Sequence, residues 1–306
     1  NNLLLTFLTG LKVNKSTKIG RRLNWMCYFY LALLIVAMVG MMLGNLLVSI
    51  RYSDRNLGSY AAIYFWYFSI FAFGLMIASI NLKTQENKEV WSSRKKKVHH
   101  KPFRDLKIFR KVLILLSVLF AIMGIYLGLT IALGQYLDIM VLPTILSGQF
   151  GLFFCFIFFS NLIILFKLKD PRVSSKRYKA IFLLGFISSG MFIVPLLATP
   201  SADLMADQNF SNAFGENWEQ KIPNNVETEF FLRTPFSTPD YFLGIPPKDC
   251  DILEHEKFYD DGNNQLYFDA YYPKDDPEDL PGKGSMLIRI HGGGWVFGDK
   301  GAGNML

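Results

Sequence analysis

The sequence predicts an all-α membrane bundle of five helices, followed by a strand-bearing part outside the membrane. Three observations carry this. Uncharged apolar stretches of spanning length recur five times before residue 199. The loops between them alternate between rich and poor in Lys and Arg. Net charge then reverses: residues 1–199 hold 24 Lys/Arg and 6 Asp/Glu, net +18, whereas residues 200–306 hold 8 and 19, net −11. An asymmetry of this size points to two environments. Because the basic half is also apolar, it reads as a membrane domain and not as a nucleic-acid binder.

Residues 1–24 form a basic lead-in with an apolar patch (Leu3, Leu4, Leu5, Phe7, Leu8, Leu11) too short to span, suited to the membrane surface or belonging to something longer. The membrane domain is residues 25–199. Its stretches, 25–50, 60–82, 112–133, 145–166 and 180–198, contain no Lys, Arg, Asp or Glu and meet the length of roughly 20 residues that a bilayer requires. Trp25, Tyr28, Tyr60, Tyr64, Trp66 and Tyr67 lie toward their ends, where amphipathic rings favour the interface. Residues 12–24 carry five Lys/Arg, 83–111 eleven and 167–179 six, whereas 51–59 carry two with an Asp and 134–144 none. The positive-inside rule puts the N-terminus and the basic loops in the cytoplasm. Five passes then put the C-terminal half on the extracytoplasmic side of a cell membrane.

The membrane domain shows no intramembrane charge that would mark an ion path. Gln149 and Asn161 read as interhelical hydrogen-bond formers. Gly40/Gly44 and Gly124/Gly128 have the GxxxG spacing that lets helices approach closely, within one bundle in preference to a dimer. Pro195 predicts a kink in the last helix. The run Arg94-Lys95-Lys96-Lys97 sets topology before it binds lipid, and His99-His100 lacks the further ligands of a metal site.

Residues 200–253 form a polar tether and an aromatic, proline-rich lead-in. Positions 201–228 show no sustained period, and Asn209-Phe210-Ser211 is a glycosylation sequon. Positions 229–250 are too apolar for a free linker and are expected to pack on the following domain, to cover its pocket, or to meet the bilayer surface. Residues 254–306 open that domain. Strands are predicted at 254–259 and 265–272, paired as a hairpin across Asp260-Asp261-Gly262-Asn263-Asn264, and a third at 285–290. The three cysteines form no disulfide framework, and Cys250 reads as an ordinary thiol and not a nucleophile.

The third strand runs into His291-Gly292-Gly293-Gly294-Trp295-Val296-Phe297-Gly298-Asp299-Lys300. Together with the strand end Asp269-Ala270-Tyr271-Tyr272-Pro273, one residue longer than the usual Asp-x-Tyr-x-Pro, this order resembles the opening of the α/β-hydrolase domain in hormone-sensitive-lipase-like esterases. The resemblance covers about residues 254–300. It implies the first strands of an α/β-hydrolase fold, truncated, and a carboxylic ester hydrolase of esterase or lipase type. Gly293 and Gly294 would supply the oxyanion-hole N–H groups, while Gly292 and His291 would support the loop. Glycine suits that task because a side chain would hold the backbone away from the substrate.

No Gly-x-Ser-x-Gly elbow occurs in the chain; the serine, acid and base are expected downstream, since both ends read as incomplete. Residues 254–306 alone are therefore expected to be unstable. The implied substrate is an ester or lipid-like small molecule met at membrane lipid, with no metal or organic cofactor and no nucleic acid. Oligomeric state is left open. The competing readings are a membrane binding or signalling protein with a catalytically dead hydrolase domain, and a transporter-like bundle with an accessory hydrolase.

Overall fold

The computed structural model describes residues 2–13, 17–50, 57–84, 106–133, 141–169, 175–230, 234, 236–244, 250–274, 276, 285–288 and 290. These residues are mostly helical, with five helices long and apolar enough to cross a membrane and a two-stranded antiparallel sheet. The helices are α1 (Asn2–Lys12), α2 (Lys18–Ile50), α3 (Leu57–Thr84), α4 (Leu106–Leu133), α5 (Val141–Gln149), α6 (Gly151–Leu168), α7 (Lys176–Met191), α8 (Val194–Phe214), α9 (Asn224–Phe230) and α10 (Thr238–Leu243). The strands are β1 (Cys250–Asp260) and β2 (Gln265–Pro273). The chain divides into two compact units: residues 1–42 with 64–199, and residues 43–63 with 200–306.

In the first unit small polar residues are buried beside apolar ones, and many large apolar side chains face outward. Ser117, Thr130, Ser147, Ser160, Asn161, Ser188 and Ser189 are buried, while Phe65, Leu75, Leu115, Leu183 and Phe186 are exposed. Such an arrangement would be costly in water but suits a bilayer. There the outer faces meet hydrocarbon, and small or polar residues join the helices inside. Even α1 follows this rule, burying Thr6 and Thr9 and turning Leu4 and Leu8 outward.

Polar and small residues make the contacts that the sequence leads one to expect. The Asn161 amide on α6 donates to the Ser117 carbonyl on α4 at 2.9 Å. The GxxxG glycines pack within the chain. A Cβ on Gly40 would lie 2.5 Å from the Trp66 ring, and one on Gly128 would lie 2.8 Å from Ser188 Cβ. Trp66, well inside α3, thus serves helix packing. An aromatic ladder joins α6 to α7, with ring centroids 5.5 Å apart for Phe159–Phe186 and 5.9 Å for Phe166–Phe182.

Two spans differ from expectation. The fourth, expected as one helix over 145–166, bends at Phe150 (φ −103°, ψ 24°), which separates α5 from α6. The fifth, expected over 180–198, is interrupted at Phe192–Ile193, where Ile193 N–H turns back to the Gly190 carbonyl at 3.0 Å. This interruption puts Pro195 in the first turn of α8, where its missing N–H costs no helical bond. The two irregularities meet: a Cβ on Gly151 would lie 2.6 Å from the Phe192 carbonyl oxygen. The break at Phe192–Ile193 is the kink that Pro195 predicts, because proline clashes with the helical carbonyl four residues before it; the bend at Phe150 has no such mark in the sequence.

The second unit revises the expected tether. Residues 201–214 continue α8, and a 3-10 turn (Glu219–Lys221) and α9 follow. None of the residues of α8 is buried, so no apolar period marks the helix. The proline-rich segment is helical over Thr238–Leu243. Its α10 buries Phe242, whose carbonyl accepts the Asn45 amide at 3.1 Å.

Candidate functional site

The oxyanion candidates His291, Gly292, Gly293 and Gly294 lie outside the described residues, as do Arg94–Lys97, His99 and His100. What is described is the approach to that loop: the β1–β2 hairpin and the apolar residues before His291.

The hairpin begins with its turn. Asp261 accepts the backbone N–H groups of Asn264 at 2.6 Å and Asn263 at 2.9 Å. Asp260 accepts the Lys257 ammonium at 2.7 Å and the Gly262 N–H at 3.0 Å, while Gly262 takes the left-handed φ of 84° that the tight turn demands. The Lys257 ammonium first, then the Gly262 N–H, hold the Asp260 carboxyl below its ordinary range. The Asn264 and Asn263 amides do the same for Asp261.

The register pairs Asp260 with Gln265, Glu256 with Phe268 and Cys250 with Pro273, with irregularities between Leu253 and Glu256 and between Lys257 and Tyr259. The first irregularity centres on His255, whose φ of 65° is left-handed. Asp269 accepts the His255 N–H at 2.8 Å, and the His255 ring stacks on Tyr267 at 3.9 Å. A backbone N–H turned out of the ladder by the bulge is thereby satisfied by a carboxylate. Asp269 is the first residue of the strand-end motif, so its observed contact ties that motif to the bulge. Sequence reading misses the pair. The available signal is a lone carboxylate within an otherwise apolar, aromatic strand.

Residues 285–290 are expected from their sequence to form a third strand. Among the described residues of this stretch no strand is formed, and Leu287 is 92% and Ile290 88% exposed. The reason is the missing ladder. The described sheet has only the two strands β1 and β2, and a strand this apolar needs neighbours along its edges and cover on both faces.

No family model, curated protein or solved structure matches the chain.

Proposed function

We propose that the chain is the membrane anchor and oxyanion-bearing part of a serine carboxylesterase or lipase-like hydrolase, with its α/β-hydrolase domain on the extracytoplasmic side. The observation that carries this reading is the succession of apolar residues 285–290, His291-Gly292-Gly293-Gly294 and Trp295-Val296-Phe297-Gly298-Asp299-Lys300.

In this mechanism a serine attacks the ester carbonyl. Negative charge developing on the carbonyl oxygen is met by the N–H groups of Gly293 and Gly294; the ester C–O bond breaks, the alcohol leaves with the proton that the base took from the serine, and water then hydrolyses the acyl-enzyme to the acid and free serine. Fixed backbone donors need no reorganisation at the moment of reaction, which is why a loop without side chains suits the task. Gly292 and His291 would keep the loop in place. The serine and its base would come from sequence beyond Leu306, since no Gly-x-Ser-x-Gly lies within the 306 residues. The substrate would be an ester presented at or near lipid.

Sidedness is supported by the alternation of Lys/Arg between loops. It is supported again at α10, whose Phe242 carbonyl accepts the amide of Asn45, a residue near the end of α2 that leads into the charge-poor loop 51–59.

The test is a Gly293→Ala substitution in the gene's complete product, with hydrolysis of a short p-nitrophenyl ester as the readout. Alanine keeps the N–H but adds a Cβ that holds the backbone away from the substrate; displacing one oxyanion donor in this way lowers kcat by up to about 10²- to 10³-fold, and far-UV circular dichroism should stay the same. Unchanged turnover removes the oxyanion assignment. No turnover in the unsubstituted product, with no Gly-x-Ser-x-Gly downstream, favours a catalytically dead hydrolase domain with a binding role.

A further inference from the structure

A lipid-facing groove of about 630 Å³ opens among α1, α6 and α7. Its lining is apolar with one exception, Lys179, in the first turn of α7. Leu3, Leu4 and Phe7 of α1 form one wall. The α6–α7 aromatic ladder forms the other, with Phe166 and Phe182 nearer Lys179 and Phe159 and Phe186 deeper. Phe159 and Phe166 are two helical turns apart, about 10 Å along the axis. The groove is therefore a slot with a cation at the end where α6 and α7 are joined and hydrocarbon below it.

Two contacts set α1 in position as its wall. The Phe7 ring lies 5.1 Å from that of Phe166, and the Thr9 hydroxyl lies 3.1 Å from Asn81 Oδ1 on α3. With Thr6 and Thr9 turned inward, Leu3 and Leu4 of α1 are left to face the slot.

We propose that this groove binds one acyl chain of an acidic phospholipid, with the lipid phosphate against the Lys179 ammonium. The inference rests on the five apolar helices crossing a bilayer and is independent of the hydrolase reading. The apolar length selects an acyl chain over a soluble ligand. The single cation at the slot's outer end selects an anionic headgroup over a zwitterionic one, because a net negative charge gains from the ammonium what phosphocholine offsets with its own cation. Arg177 and Lys176 lie in the same helical turn and add to the local positive field.

The test uses the full chain, delipidated in detergent and then offered phosphatidylglycerol and phosphatidylcholine, with bound lipid counted by native mass spectrometry. The unsubstituted chain should retain phosphatidylglycerol in preference to phosphatidylcholine. Lys179→Ala should reduce that preference by about fivefold, the contribution of one lysine near an anionic surface, and Lys179→Arg should keep it. Leu183→Trp, which places an indole in the slot, should reduce retention of both lipids. Lys179 and Leu183 are both exposed, so neither change threatens the fold. A preference unchanged in Lys179→Ala, or full lipid retention in Leu183→Trp, overturns the proposal. So does a chain dimer that excludes lipid and that Leu183→Trp dissociates.

Discussion

At the scale of single residues, the hairpin that approaches the glycine loop is set by a few carboxylates. Asp269 holds the His255 bulge by one hydrogen bond, and Asp260 and Asp261 organise the turn. Replacing Asp269 by Ala leaves the His255 N–H to water and should destabilise the hairpin by about 0.5–1.5 kcal/mol. Hydrogen-exchange protection of the β1 and β2 amides is the measurement, and unchanged protection would show that the bulge does not need the carboxylate.

The turn carboxylates make a separate, pH-dependent prediction. Both have a folded pKa below the ordinary aspartate value of 3.8. Their stabilising contribution is complete above that value and is lost as pH falls through the depressed one. Protection of the hairpin amides, corrected for intrinsic exchange, should therefore hold at about pH 5 and fall below about pH 4. An Asp260→Asn, Asp261→Asn double variant should lose that dependence. The turn was legible residue by residue, and the bulge was not. The sequence marks the turn plainly through Asp260-Asp261-Gly262-Asn263-Asn264, but the bulge depends on cross-strand geometry that no local pattern encodes.

At the scale of elements, the spans were legible because the bilayer imposes a length and excludes charge, both of which can be read directly. The kink at Phe192–Ile193 was signalled by Pro195, whereas the bend at Phe150 was not, since it lies where Gly151 meets the Phe192 carbonyl. The continuation of α8 to Phe214 was hidden for a different reason: periodicity comes from burying one face, and α8 buries none. The glycines give the sharpest test of the packing. A Cβ on Gly128 would press on both the Cβ and the carbonyl oxygen of Ser188, whereas a Cβ on Gly148 would meet nothing within 4 Å. Gly128→Leu should force α4 from α7 and cost about 1–3 kcal/mol, read as a lower midpoint in detergent unfolding. Gly148→Leu should leave that midpoint unchanged. Equal effects at the two sites would refute the α4–α7 contact.

At the scale of the whole molecule, charge and hydropathy divide the chain at about residue 200 into a basic, apolar half and an acidic, polar one. The membrane half was readable almost entirely from composition. The candidate site was readable only as a motif, because an oxyanion hole is defined by backbone donors aimed at a substrate, and its glycines lie outside the described residues. Sidedness and chemistry together make the central claim, and one labelling experiment addresses both. Intact cells carrying the gene's complete product are treated with a membrane-impermeant fluorophosphonate, which reacts with an activated serine. A labelled serine is expected in unbroken cells, with labelling slowed strongly by Gly293→Ala. Labelling that appears only after the membrane is opened would contradict the orientation, and no labelling in either preparation would contradict the hydrolase.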